Sequence, residues 1–494
     1  MLTYDDLTAA ERTLWDSFPE GRWVDLRTGR PEFDDPARGA QWEPERTVRA
    51  DVVTALLLGG NTERSSSVAS LRLAGARITG RLDLAGAEIS HLLWLKKCRL
   101  EQQASFCSAS TQTIRITGSW VPGVDAELAR IEGHLDLNES VMETGRLSLM
   151  NAHVAGELDL DGTQILAPEK WAVFAGGLVM GGAIFCQDGF TARGGVRLPG
   201  AQLPGGLHMR GARLDSPGGV ALNAGGMAAT VVNLSEGFSA AGTLQLRGAQ
   251  ISNLLNLGGA ILGGSDTALH GVGMQVGTFD FRLAAPPAGA VDLQDARATM
   301  LHDREESWPE DVRLDGFVYG SLRSDGLSPQ NDVAHRLCWI RRNPDYAPQP
   351  YEQLAACYRQ AGHDDAARRV LLEKQRRRRR TLNPPGRVSG YLLDVAVGYG
   401  YRPWLAALWM TTLCLLGTLV FSTRSPIQTK PGEGDPFNPF IYTIDLLFPI
   451  GDFGQRSAWH WTGATQWLSY LLIAVGWLLT TAVVAGVSRT LNRN

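Results

Sequence analysis

The chain has 494 residues, of which 44% are hydrophobic and 20% are charged, and its formal net charge is -4. This balance excludes a disordered polyelectrolyte, and it argues against a chain that binds nucleic acid over its whole surface. Glycine is frequent, with 56 residues, but it follows no Gly-X-Y period, so collagen is excluded as well.

Residues 1–68 are predicted to form a helical N-terminal cap. Residues 5–18 and 47–58 have helical patterns, whereas the Pro-, Gly- and Asp-rich residues 20–46 are predicted to be irregular. The chain starts with acidic and amphipathic residues, without a basic and then apolar segment, so we expect no signal peptide.

Residues 69–301 contain an internal repeat, which decides the fold class. Four pairs of similar units have their members eleven residues apart: Leu71 and Leu82, Leu147 and Leu158, Val196 and Leu207, Leu244 and Leu255. Apolar residues at alternate positions predict very short strands with one buried face, and the Gly-Ala pairs that follow suit sharp corners. The sequence therefore predicts a mainly β protein built around a Gly-rich β-solenoid.

The spacing also sets the size of the predicted solenoid. If two units make one turn, a turn has about 24 residues, and residues 69–297 give roughly nine or ten turns. Helical repeats are the alternative, but the period of 3.6 residues is missing and glycine is too frequent for helices.

Residues 302–400 are predicted to be a helical connector, which begins with a polar exit from the solenoid at 302–330. Its densest titratable group is His302, Asp303, Arg304, Glu305 and Glu306, which suits either a solvated loop or a metal or acid/base site. A helical hairpin over 350–379 resembles one tetratricopeptide unit, with Gly362 ending the first helix and Asp364 or Asp365 starting the second.

A basic cluster ends the connector. It consists of Arg376, Arg377, Arg378, Arg379 and Arg380, followed by Arg387 and Arg402. Such a run can bind nucleic acid, but its position just before an apolar segment favours a cytoplasmic, membrane-flanking role against anionic headgroups.

Residues 401–494 are predicted to form a membrane domain with two spans, at about 404–422 and 466–487. The first has 19 residues without a charge, which is roughly 29 Å of helix and matches the bilayer core. Basic residues flank the outer ends of both spans. We therefore expect a plasma-membrane protein whose termini and solenoid are cytoplasmic, with residues 423–465 outside.

The loop between the spans contains a short apolar segment, residues 438–450, which cannot cross a bilayer. Followed by Gly451, Asp452 and Gly454, it is compatible with a re-entrant pore helix and turn, and a pore would require a homo-oligomer. The alternative is an amphipathic helix that lies on the outer leaflet. In the pore, Asp445 would be a costly charge in an apolar stretch, so we expect it to face protein or water.

The sequence contains no motif for a nucleophile, a dinucleotide, a P-loop or a zinc protease, and we predict no catalytic, cofactor-binding or metal-binding residue. The six cysteines form no CxxC pair, which suits reduced thiols. The long repeat surface without catalytic residues predicts a scaffold that binds an unidentified cytoplasmic partner, with the oligomeric pore as the alternative.

Three stretches together resemble a family of actinobacterial two-pass membrane proteins that are commonly labelled "membrane-associated oxidoreductase". They are the units of 71–262, the segment YAPQPYEQLAACYRQAGHDDAARRVLLEKQRRRRR, and the tail motifs GYGYRPW and FNPFIYTIDLLFPIGDFGQRSAW. The resemblance covers nearly the whole chain, and it implies this architecture and a redox activity. The repeats are also similar to pentapeptide-repeat solenoids, although the strict five-residue pattern is not kept.

Overall fold

The computed structural model describes residues 3–61, 67–166, 171–324, 329–400, 403–430, 436–448, 451 and 453–491. The chain divides into two compact units, Met1–Gln353 and Leu354–Asn494. The first unit holds the β-solenoid and its end caps, and the second unit is mainly helical among its described residues.

The predicted solenoid is confirmed, and it makes about 11 turns. Its strands pair in parallel with the equivalent strands of the turns before and after, as when Leu71 pairs with Leu93 and Leu93 with Ile114. Each turn contributes to four such ladders, so the coil has four sides. We number these sides one to four in the order in which the chain visits them.

The strands of the four sides are short in the first half of the solenoid. Side one consists of Ser70–Ala74, Leu92–Lys96, Ile114–Thr117, Leu135–Asp136, Leu158–Asp159, Ile184–Phe185 and Leu207–His208. Side two consists of Arg77–Thr79, Arg99–Leu100, Val141–Met142, Gln164–Ile165, Thr191–Arg193 and later Ile261–Leu262. Side three consists of Ala104–Ser105, Val124–Asp125, Leu147–Ser148, Trp171–Phe174, Gly195–Arg197, Thr267–His270, Ala290–Asp292 and Val312–Arg313. Side four consists of Glu88–Ile89, Ser110–Thr111, Arg130–Ile131, His153–Val154, Val179–Met180 and Gln202–Leu203.

In the second half, longer strands run through a corner and serve two sides. Sides two and three share Arg213–Asn223 and Ser239–Gln245. Sides four and one share Ala228–Asn233, Gln250–Asn256, Gln275–Phe281, Arg297–Asp303 and Val318–Ser324. These last five strands form one continuous parallel sheet.

The interior of the coil is filled by the alternate apolar residues that the repeat predicts. Leu71, Leu73 and their equivalents in later turns are fully buried, and each buried leucine stabilises the fold by about 1.5–3 kcal/mol. Gly75 makes its corner with a φ of 67°, and Ala76 follows inside the coil with no exposed surface. The predicted roles of the Gly-Ala pair are thus confirmed at this corner.

The N-terminal residues cover the first turn, and the helix predicted over 47–58 begins only at Ala50, because Thr47–Arg49 forms a strand. Helix α1 (Ala9–Ser17) precedes two strands that extend the ladders: Val24–Asp25 pairs with side one, and Thr47–Arg49 pairs with side two. Helix α2 (Ala50–Leu57) contacts the strand Ser70–Ala74. The exposed edge of the first turn is therefore paired and covered.

The solenoid continues past residue 301, where we predicted it to end. Val312–Arg313 and Val318–Ser324 pair with the preceding turn and add a last turn, so residues 302–330 are not a polar exit. The spacing of the repeat is kept in this turn, because Leu301 and Val312 are eleven residues apart, but the polar residues 302–306 hide it in the sequence. Helix α3 (Pro329–Arg341) follows.

A buried ion pair connects the solenoid to α3 at this end. Asp303 occupies the interior position that Phe281 holds one turn earlier. Both oxygens of Asp303 accept hydrogen bonds from Arg336 of α3, at 2.6 and 2.7 Å, and Trp308 donates a third bond at 2.7 Å. The side chains of Asp303 and Arg336 are only 3% and 5% exposed.

Helix α4 (Gln349–Gln360) leads from the first unit into the second. Its first turn binds the last turn of the solenoid, because the Gln349 and Gln353 amides donate to the carbonyl groups of Phe317 and Tyr319. The second unit continues with α5 (Asp364–Thr381), α6 (Pro384–Val397), α7 (Pro403–Ser422), α8 (Pro439–Leu447), α9 (Gln455–Ala458) and α10 (Ala464–Leu491). Two short strands of this unit, Ile427–Gln428 and Trp459–His460, pair in antiparallel fashion.

The Asp303–Arg336 pair predicts a large loss of stability on substitution. Arg336→Gln leaves a buried carboxylate without its cation, which should lower the free energy of unfolding by about 3–5 kcal/mol. Urea unfolding, followed by tryptophan fluorescence, measures the shift of the midpoint. The control is Arg22→Gln, whose partner Glu20 is exposed, and which should cost less than about 1 kcal/mol. Equal midpoints for the two variants would contradict the capping role.

Candidate functional site

The continuous sheet of the last turns carries a column of exposed side chains. Six positions pair in register from turn to turn along side four: Gln202, Ala228, Gln250, Gln275, Arg297 and Val318. Neighbouring turns of a parallel ladder lie about 4.8 Å apart, so the column is roughly 24 Å long. Three glutamine amides therefore recur along one line on the surface.

A groove with a volume of about 880 Å³ lies on this surface. Besides the column, small and hydroxyl-bearing residues line it, including Thr230, Ser252, Gly277 and Thr299. Arg297 is the single charged residue of the described lining. Each glutamine amide offers a donor and an acceptor, so the groove can bind an uncharged, hydrogen-bonding ligand. A nucleic acid needs several cations, which the groove does not supply.

The sequence analysis did not find this groove. The glutamines form only a weak pattern in the sequence. Gln250 and Gln275 are one turn apart, but the number of residues in a turn varies, as it does in the two turns between Gln202 and Gln250. The groove also depends on the merging of sides four and one into single strands, which the repeat units do not indicate.

An acidic stretch lies on side one of the earlier turns. Burial raises the pKa of Asp136, and the negative charge of Asp159 adds to this shift. Burial and Asp159 likewise raise the pKa of Asp161. Among the described residues, no group of three or more His, Cys, Asp or Glu side chains is placed to hold a metal ion.

The predicted titratable group at 302–306 is not a solvated loop. His302 and Asp303 are buried, and Asp303 is held by Arg336. Outside this pair, Nδ1 of His302 lies 3.8 Å from Asp280, and Glu305 pairs with His335 of α3. His302 and Asp303 therefore lie in the core of the solenoid, because the chain continues into one more turn.

All six cysteines are free. Burial raises the pKa of the Cys98 thiol to about 12, and it raises the pKa of Cys186 well above the ordinary range. Because the thiolate is the reactive species, these two thiols are inert at neutral pH.

In the second unit, the run of five arginines is divided by the period of helix α5. Arg376 and Arg379 both bind Asp394 of α6, each at 3.1 Å, so they hold the two helices together. Arg377 lies 3.9 Å from Glu373, one turn earlier on α5. These three arginines are thus compensated by carboxylates.

The remaining arginines of the basic cluster have different surroundings. Arg378 and Arg380 are exposed, and no ion pair of theirs is seen among the described residues. Arg387 donates to the carbonyl groups of Leu382 and Arg380, which end α5. Arg402 lies outside the described residues. Of the five consecutive arginines, Arg378 and Arg380 are therefore the two that have no carboxylate partner among the described residues.

The predicted pore segment forms helix α8 and a turn that Asp445 holds. Asp445 is buried and accepts hydrogen bonds from the backbone amides of Phe453 and Arg456, at 3.2 and 2.8 Å. It faces protein, as predicted. Gly454 has a φ of 76° and starts α9, Gly451 precedes it, and Asp452 lies outside the described residues.

Helix α8 packs against both long helices of the unit. A Cβ atom on Gly417 of α7 would lie 2.5 Å from Cγ2 of Thr443. A Cβ atom on Gly476 of α10 would lie 2.3 Å from the carbonyl oxygen of Leu447. Glycine at these two positions is what allows α8 to approach so closely.

One helix among the described residues is long and apolar enough to cross a membrane. It covers Trp404–Ser422, and only 17% of its most apolar window is buried. Large side chains on it are more than half exposed, namely Trp404, Leu408, Leu415, Leu416 and Leu419. The second predicted span, residues 466–487, lies within helix α10 and stays a prediction.

Comparisons of the chain with protein-family models, with curated proteins and with solved structures found no match. The resemblance to the two-pass actinobacterial family, and the redox activity that it implies, therefore stay predictions.

Proposed function

We propose that this chain is an integral membrane protein whose β-solenoid binds a cytoplasmic partner through the groove of its last turns. The exposed apolar surface of α7 carries the membrane part of the proposal. Several leucines of α7 are exposed and do not pack against the rest of the described chain. An exposed apolar surface of this kind is favourable in hydrocarbon.

The second span and the orientation belong to the same proposal. Residues 466–487 cross the membrane in the opposite direction to α7, and the basic residues before α7 and after the second span lie on the cytoplasmic side. The solenoid and both termini are then cytoplasmic, and residues 423–465 face outside.

The groove supports the binding role. It is concave, three glutamine amides line it, and Arg297 is the single charged residue of its described lining. A protein segment with unpaired backbone amides matches these glutamine side chains, since each side chain can donate and accept at once.

A second candidate is an oligomeric pore, and the packing of α8 favours it over an interfacial helix. Tyr442 lies beside Ser469, and Leu447 lies beside Gly476, so α8 runs parallel to α10. Gly476 is ten residues into the proposed second span, which is about 15 Å, or half of the bilayer core. In this arrangement, α8 enters the membrane and ends near its middle, as a pore helix does.

Membrane insertion predicts the effect of a charge on α7. Leu415→Arg places a cation at the centre of the span, which costs about 2.5–3.5 kcal/mol, so the variant should be released from membranes by alkaline carbonate while the unmodified protein stays. The control is Leu128→Arg, because Leu128 is exposed on the solenoid and its substitution should change nothing. Release of the unmodified protein would contradict insertion.

Labelling of whole cells tests the orientation of the protein in the membrane. A membrane-impermeant thiol reagent should reach Ser425→Cys but should not reach Cys338, which is exposed on α3 of the solenoid unit. The reverse result would invert the topology.

Binding in the groove predicts a position-specific crosslink. A photoreactive residue at Gln250 of the full-length protein should crosslink to a specific cytoplasmic protein, because this position lies in the middle of the groove. The same residue at Ile261, which is exposed outside the lining, is the control. Equal crosslinking from both positions, or none from Gln250, would speak against the groove.

The pore predicts cation flux in liposomes that contain the purified protein. Asp452→Asn should reduce this flux, since a ring of carboxylates favours cations, whereas Asp435→Asn in the same loop should not. The purified protein should also be an oligomer. A monomer without flux would leave α8 as a purely structural helix.

A further inference from the structure

Helix α6 carries a narrow stripe of exposed apolar side chains. Val388, Tyr391 and Val395 are 62%, 63% and 51% exposed. Their spacing of three and four residues places them along one face of the helix. Three large apolar side chains on one face of a 14-residue helix are more than scattered surface residues, and they indicate a surface that something covers.

The structure fixes the direction in which this stripe points. Asp394 of α6 binds Arg376 and Arg379 of α5. Gly390 approaches α5 so closely that a Cβ atom there would lie 3.0 Å from Cδ of Arg379. On the other side, the indole of Trp409 in α7 donates to the carbonyl group of Val395 at 3.1 Å. The stripe therefore cannot turn inward to bury itself.

The contact with Trp409 also gives the depth of α6 relative to α7. Trp409 is six residues after the first residue of α7, which is about 9 Å along the helix. Interfacial helices insert their apolar face about 5–10 Å into the boundary between headgroups and acyl chains. The end of α6 thus lies beside the part of α7 that would cross this boundary.

Two charges accompany the stripe. Arg378 and Arg380 are exposed near the end of α5, six and four residues before α6 begins, whereas Arg376 and Arg379 are compensated by Asp394. Guanidinium groups bind phosphate oxygens well, and anionic lipids provide these at the cytoplasmic surface. An apolar stripe beside such cations matches a lipid surface better than it matches a second copy of the chain.

We propose that α6 is an interfacial helix, which inserts Val388, Tyr391 and Val395 into the cytoplasmic leaflet while Arg378 and Arg380 bind anionic headgroups. This inference rests on the proposed insertion of α7. It adds a second membrane contact, which fixes α5 and α6 at the bilayer surface and makes the attachment sensitive to lipid charge.

The test uses the full-length protein in vesicles, with the accessible native cysteines replaced. A fluorophore on Val388→Cys should be quenched by a nitroxide near the headgroup end of the lipid chains. A fluorophore on Asp365→Cys, at the exposed start of α5, should not be quenched. Vesicles of phosphatidylcholine alone and vesicles containing one third phosphatidylglycerol are compared.

The double variant Arg378→Gln with Arg380→Gln should lower the ratio of inserted to free α6 about 25-fold in the anionic vesicles, which is about fivefold for each charge removed. In the neutral vesicles, this ratio should change little. The matched control, Arg368→Gln with Arg369→Gln, removes two exposed charges from α5 far from α6 and should leave quenching unchanged. Equal effects of the two double variants would overturn the role of Arg378 and Arg380.

Carbonate extraction separates the two proposals. If the unmodified protein is released, the membrane proposal fails and this inference fails with it. If the protein resists extraction but water-soluble iodide quenches Val388→Cys and the lipid nitroxide does not, only the interfacial helix is overturned. Shielding from both quenchers would show that protein covers the stripe, which also overturns it.

Discussion

An open stack of parallel strands leaves backbone groups unpaired at both of its ends, and this constraint shapes the first unit. At the start, Val24–Asp25 and Thr47–Arg49 extend two ladders, so N-terminal residues supply the missing partners. At the far end, the interior column changes from Phe281 to Asp303, and Arg336 closes it. The burial of this carboxylate is tolerated because the guanidinium of Arg336 satisfies both of its oxygens, and the pair joins α3 to the last turns.

The repeat could be predicted from the sequence because two sides of each turn share one spacing. Leu71 and Leu82 mark sides one and three. Sides two and four also bury large residues, such as Ile78 and Ile131, but each short strand contributes a single such residue after a corner, so these sides were not recognised as strands. The groove could not be predicted either, because it arises where strands such as Gln250–Asn256 pass straight through a corner.

In the second unit, the long apolar helices and the hairpin of α4 and α5 followed from the sequence, but α6 and the pairing of charges did not. A period of 3.6 residues places Arg376 and Arg379 on one face of α5, yet their partner Asp394 belongs to another helix, beyond a turn whose geometry no local pattern specifies. The expectation for Asp445 succeeded for a different reason. It rested on the cost of an unpaired charge in an apolar stretch, and that cost is the same whichever backbone amides meet the carboxylate.

The packing of α8 against α7 and α10 places polar side chains between two long apolar helices. Thr443 bonds back to the carbonyl group of Pro439, and Asp445 and Gln455 bind backbone groups of the same loop, so these buried side chains have partners. Association without a hydrophobic driving force depends on close packing, which Gly417 and Gly476 provide. A water-soluble bundle would not need apolar side chains on the outer face of α7, whereas a bilayer requires them there. The unit thus gives Thr443, Asp445 and Gln455 partners inside and exposes apolar side chains of α7, which is the arrangement that the proposed membrane insertion requires.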